Sequence, residues 1–152
     1  MKLNILNTRE IKGILKLLDS QFGFSSSLDY VFLKNDKGKV YIVSRGIGEI
    51  DLSKLKINSI GLYFGELKGT ELRLSLEGSQ IIGPLAEKNV VSLDEGLLKL
   101  YFAGHNLEMD LGSKNRFVIL KFREDFIGCC KYKEGKILNF LPKEHRTVSL
   151  VY

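Results

Sequence analysis

The sequence predicts an α+β protein: a small N-terminal α/β domain followed by a β-barrel domain with one or two short helices. Three observations predict it. A capped amphipathic helix opens the chain, short strand-like runs joined by turn residues fill most of the remainder, and Gly83-Pro84 separates residues 1–84 from residues 85–152. Pro fixes φ and removes a donor, while Gly permits a sharp change of direction. The 152 residues suffice for one domain, or for two small ones sharing an interface.

The first helix begins after Asn7, an N-cap residue with Glu10 three positions on to complete a capping box. Ile11, Ile14, Leu15, Leu18 and Phe22 follow at helical spacing, and Gly23 stands where a C-terminal glycine belongs. Residues 30–34 and 39–43 read as strands around the hairpin loop Asn35-Asp36-Lys37-Gly38. Residues 51–57 read as a short helix. Residues 60–67 and 71–76 read as a second hairpin around Lys68-Gly69-Thr70. Beyond the boundary come Val90-Val91 and then Ser92-Leu93-Asp94-Glu95, a Ser-x-x-Glu capping box. Leu97, Leu98, Tyr101 and Phe102 form one apolar helix face, which Gly104 ends. Residues 117–122, 126–132, 136–141 and 147–151 read as strands, with Glu134-Gly135 as the turn between the middle pair. Several short strands after one helix suggest a small barrel.

Composition is that of an ordinary globular chain, with 44% hydrophobic and 27% charged residues. No apolar run approaches the roughly 20 residues that span a bilayer, and no signal-peptide pattern opens the chain, so a cytoplasmic location and no membrane partner are expected. Cys129 and Cys130 are adjacent, which puts their side chains on opposite faces of a strand and points to a structural role. With His105 and His145 the only histidines, no metal site is expected.

The net charge of +5 is unevenly spread. Residues 1–113 hold 14 basic and 14 acidic side chains, whereas residues 114–146 hold nine basic against four acidic. A local positive field of this kind suits a polyanion, although a solvated lysine-rich surface explains it equally well.

Catalytic signatures are weak. Ser44-Arg45-Gly46-Ile47-Gly48-Glu49 contains Gly-x-Gly after a strand, but Asp51 stands where a dinucleotide fingerprint needs its third glycine. An acid there repels a pyrophosphate, so the segment reads as a turn. Neither histidine lies in a nucleophile motif, and no carboxylate pair stands out. No enzyme activity and no cofactor are expected.

Two stretches are distinctive. Residues 102–112, Phe-Ala-Gly-His-Asn-Leu-Glu-Met-Asp-Leu-Gly, frame polar His105 and Asn106 between glycines. Residues 139–146, Asn-Phe-Leu-Pro-Lys-Glu-His-Arg, carry basic side chains off a strand end beside a rigid proline. Lys and Arg suit phosphates, and Asn106 and His105 suit a base edge or a 2′-hydroxyl. On spacing alone, a turn and a loop that close a barrel account for both.

Gly104-His105-Asn106-Leu107 with Gly112, Phe126-Ile127-Gly128-Cys129-Cys130, and residues 139–146 together resemble PUA domains, the RNA-binding modules named after pseudouridine synthase and archaeosine transglycosylase. Residues 39–44, 59–65 and 72–75 resemble the domain that precedes the PUA domain in a two-domain large-subunit ribosome biogenesis factor, with residues 81–86 at its junction. The Pro-Lys-Glu-His-Arg ending is closer to the C-terminal part of archaeal Sun-type RNA methyltransferases. The resemblance covers residues 10–146 and includes no methyltransferase catalytic domain. It implies a PUA-like barrel over residues 85–152 that holds structured RNA, ribosomal RNA before transfer RNA, with ribosome-assembly proteins or an RNA methyltransferase as protein partners. Gly104, His105 and Asn106, with Arg116, Lys131, Lys143 and Arg146 supplying charge, are the expected contacts. Two other readings stand beside this one: a protein-interaction adaptor, or RNA-binding subunit for a methyltransferase acting in trans, whose apolar strands offer an edge; and a small enzyme, which needs a titratable pair in a pocket.

Overall fold

The structure, a computed structural model, describes residues 2–44 and 61–141. The Gly-x-Gly segment from Arg45 onward, the short helix expected over residues 51–57 and the last strand expected over residues 147–151 lie outside the described residues.

Leu3–Ile5 (β1), Tyr30–Asn35 (β2), Lys39–Ser44 (β3), Leu62–Lys68 (β4) and Glu71–Leu74 (β5) form one antiparallel sheet in that order. Helix α1, Thr8–Phe22, covers one face and buries Ile14, Leu18 and Phe22 against Phe32, Ile42, Phe64 and Leu72. Its N-terminus closes as expected: the Asn7 side chain accepts from the Glu10 N–H (2.9 Å), and the Glu10 carboxylate accepts from the Asn7 N–H (3.2 Å). Gly23 ends it at φ 63°, the left-handed conformation that glycine adopts without strain.

Two local expectations are corrected. Leu76 does not continue β5. Ser75 caps a second helix, α2 (Leu76–Ile82), by accepting from the Gly78 N–H at 2.9 Å. The alternation through Leu74 and Leu76 imitates a strand, but the serine cap decides the local conformation. Second, Ser92 is not a helix cap. Val90–Ser92 (β6) pairs in parallel with Arg116–Phe122 (β8), and the Leu93 N–H extends that ladder to the Lys121 carbonyl. Asp94 therefore caps Glu95–Phe102 (α3) through a 2.8 Å bond from the Leu97 N–H.

The second sheet runs β6-β8-β9-β10-β7 and curls as a half-barrel, with β7 at Leu107–Glu108, β9 at Asp125–Lys133 and β10 at Lys136–Leu138. Strands β1 and β7 are two short strands that sequence periodicity does not mark. The chain is thus α+β, with the half-barrel following the first sheet. Residues 83–85 form a single 3-10 turn directly after α2, with Gly83 buried against the Phe126 ring.

The β8–β9 hairpin is buried on both faces. Phe117, Ile119 and Cys129 enter the core beneath α1 and the first sheet. Val118, Leu120, Cys130 and Tyr132 enter a second core with Leu93, Tyr101, Leu107 and Ile137. The adjacent cysteines thus part to opposite sides, as strand alternation requires. Polar ties reinforce the junction. Lys131 Nζ lies 2.9 Å from Glu71 Oε1, Asn89 Nδ2 donates to the Gln21 carbonyl (2.6 Å), and the Glu87 and Lys88 N–H groups both donate to the Phe22 carbonyl.

Burial pushes the Cys129 thiol up from 9.0 to about 12 and the Cys130 thiol to about 11. Ellman's reagent is therefore expected to find no reactive thiol in the native protein at pH 8 and two after unfolding. Both groups hold their protons more tightly folded than unfolded. The stability they contribute is complete below pH 9 and is lost as the pH rises through about 11 to 12. Denaturant melts from pH 8 upward should show that decline, whereas flat stability to pH 12 contradicts the buried placement.

Gly78 sits where an added Cβ would strike the Phe64 carbonyl, a backbone atom that cannot move aside. Gly78→Ala is expected to cost about 1–3 kcal/mol, measured by urea unfolding.

Candidate nucleic-acid interface

The loop after α3 is built by its own backbone. The Gly104 N–H donates to the Tyr101 carbonyl and the His105 N–H to the Leu100 carbonyl, both at 3.0 Å. This paired closure needs a left-handed residue at its centre, and Gly104 supplies it at φ 92°. The chain then enters β7, the edge strand, which pairs with β10 through Leu107 and Ile137.

Asn139, the first residue after β10, locks this loop from the other side. Its Nδ2 donates to the Tyr101 carbonyl (2.7 Å) and the His105 carbonyl (2.9 Å), and its backbone N–H donates to Asn106 Oδ1 (2.9 Å). Its own Oδ1 accepts from the Leu141 N–H at 2.8 Å. One amide side chain thus gathers residues 101–106 and 139–141 into a single surface. Residues 139–141, the described part of the second distinctive stretch, are neighbours of the first in space. The bond from the Asn139 N–H also fixes the orientation of Asn106: its oxygen faces inward and its NH2 group is directed away from that bond. His105 and Asn106 are both exposed.

The expected cations fare differently. Arg116 is engaged inside the protein: Nε donates to Asn89 Oδ1 (2.8 Å), Nη1 to the Lys114 carbonyl (2.7 Å) and Nη2 to the Leu111 carbonyl (3.0 Å). Its guanidinium also lies 5.3 Å from the Tyr132 ring centre. Lys131 pairs with Glu71 and covers the Phe117 ring at 4.6 Å. Both hold elements together rather than facing outward. Lys143 and Arg146 lie outside the described residues. Lys114, Lys133 and Lys136 are exposed. Lys133 and Lys136 stand directly opposite each other across the β9–β10 turn, so their like charges add at one place.

Sequence reasoning missed Asn139 as the organising residue. Its only local signal is a polar side chain between an apolar strand and a proline. Among the described residues, no group of three or more His, Cys, Asp or Glu side chains is placed to hold a metal ion, and no helix is long and apolar enough to cross a membrane.

Residues 88–147 match the family described as the methyltransferase RsmF PUA domain. The matched segment contains β6, α3 and β7–β10, the elements that form the half-barrel and its loop. This part of the chain is therefore a PUA domain, an RNA-binding module. It is of the RsmF type, and the protein is related to the C-terminal part of Sun-type RNA methyltransferases. The first sheet lies outside the match, and no curated protein matches the chain.

Asn139→Asp replaces the donor that faces two carbonyl oxygens with an acceptor. It is expected to lower stability by about 1–3 kcal/mol, read by thermal melting. It should also weaken binding to a hairpin RNA more than the stability loss explains when both proteins are fully folded. Unchanged RNA affinity would place the interface elsewhere.

Proposed function

We propose that this protein is a non-catalytic RNA-binding module that docks structured RNA on the surface made by residues 104–106 and 139–140, in the cytoplasm, during ribosome assembly or RNA modification. The observation that carries the reading is the clamp at Asn139. It pre-orders a glycine turn and presents exposed His105 and Asn106 with less backbone entropy to lose on binding. Such groups suit unpaired bases and 2′-hydroxyls, and Lys114, Lys133 and Lys136 suit flanking phosphates. The absence of catalysis in this reading is supported by the chemistry of the described groups. Both thiols are buried and held protonated, which sets them aside as nucleophiles in this reading.

The test is binding to ribosomal RNA and to transfer RNA across a salt series, read by fluorescence anisotropy. Expected are a steep loss of affinity with salt, tighter binding of ribosomal RNA, and a roughly tenfold weaker complex for His105→Ala/Asn106→Ala. No binding at low salt, or a double variant that binds like wild type, contradicts the proposal.

The methyltransferase link of the matched family supports a second reading, in which the chain presents its RNA to a methyltransferase acting in trans. The RNA recovered by crosslinking should then carry methylated nucleotides close to the crosslinked site.

A further inference from the structure

The outer face of the first sheet, opposite α1, carries a strip of cations and aromatic rings that begins at the PUA surface. Phe140 follows the clamp residue Asn139 and is 39% exposed. The Arg73 guanidinium on β5 lies 5.1 Å from its ring centre. Arg73 also stands beside Tyr63 on β4, where its charge counters the rise in the tyrosine pKa that burial causes. The Tyr63 ring lies 5.6 Å from that of Tyr41 on β3, and Lys39 Nζ lies 5.7 Å from the Tyr63 centre. Beyond Tyr41 the strip opens into a hollow of about 360 Å³ lined by Lys2, Asn35, Asp36, Lys37, Lys39 and Tyr41. Buried Asn35 accepts from the Lys37 N–H (3.0 Å) and the Lys39 N–H (2.9 Å), which ties the turn that carries both lysines.

Cations outnumber acids along this face among the described residues. Lys2, Lys37, Lys39, Lys68 and Arg73 stand against Asp36, Glu66 and Glu71; Glu66 is shared by Lys68 (3.5 Å) and Arg73 (3.8 Å), and Glu71 pairs with Lys131 (2.9 Å). Lys2, Lys37 and Lys39 make no ion pair among the described residues. Rings beside cations, leading to three lysines without an ion pair among the described residues, fit one kind of partner: single-stranded nucleic acid, whose bases stack on the rings while its phosphates meet the lysines.

We propose that this strip, from Phe140 through Arg73, Tyr63 and Tyr41 to the lysine hollow, binds a single-stranded segment of RNA flanking the structured element held by the PUA surface. The proposal rests on the RNA-docking reading above for its partner, but it makes a separate demand on a separate sheet.

Three labelled probes separate the two: a blunt RNA hairpin, the same hairpin with a single-stranded tail, and the tail alone. The protein variant is Lys37→Glu/Lys39→Glu, with Lys37→Gln/Lys39→Gln as the milder form should the reversal disturb folding, judged by circular dichroism. In wild type the tail is expected to tighten hairpin binding roughly tenfold or more, and an abasic tail to do so less. The variant should lose that gain, reduce the salt slope by about two, and bind the blunt hairpin as wild type does. A tail that adds nothing, or a variant that keeps the gain, overturns the strip. An abasic tail that equals the natural one overturns the stacking role of the rings. A blunt hairpin that fails to bind while the tail alone binds through Lys37 and Lys39 sinks the PUA docking site and leaves the strip standing.

Discussion

The β8–β9 hairpin has no solvent face along its central residues, and the rest of the molecule is arranged around that fact. Phe117, Ile119 and Cys129 complete the core of the first sheet, while Val118, Leu120, Cys130 and Tyr132 complete the core of the half-barrel. Each side chain removed from water on one face depends on the same backbone ladder as those on the other. A strand buried on both faces tolerates no register slip, because a one-residue shift exchanges the contents of the two cores. The hairpin therefore fixes how the PUA domain sits against the first sheet. It also brings β5 to the side of β9, where Glu71 meets Lys131.

That placement gives the surface its continuity. Asn139 leaves the end of β10, ties down the loop after α3, and hands the chain to Phe140, which reaches Arg73 on the first sheet. The PUA surface and the cation–aromatic strip are thus consecutive parts of one face. Arg116 and Lys131 contribute from within. Arg116 anchors the segment leading into β8 through three donors, and Lys131 neutralises Glu71 at the junction. A cation satisfied by fixed internal partners adds to the local field but has fewer donors to offer a phosphate.

What could be read from the sequence follows the range of the forces involved. Helix α1 was legible from end to end, because the Asn7–Glu10 box and Gly23 are local chemistry. The run Phe117-Val118-Ile119-Leu120 was legible as a strand, but its division between two cores depends on what packs against each face. Helix α2 was hidden, since Leu74 and Leu76 continue an alternation that the Ser75 cap interrupts. Strands β1 and β7 owe their conformation to pairing with distant partners, β2 and β10, and leave no periodic trace. At the site, the glycine turn and the exposed His105 and Asn106 were visible as a motif. The clamp was not, because Asn139 acts on carbonyls 34 and 38 positions away. Composition records Arg116 and Lys131 as cations but not the internal partners that the fold gives them.

The most direct test of the account is amide chemical-shift mapping of the isotopically labelled protein during titration with a hairpin RNA. The account predicts that the largest changes fall on residues 104–107 and 138–140, with the exposed face of α1 unmoved. Changes centred on α1, with residues 104–107 silent, would contradict it.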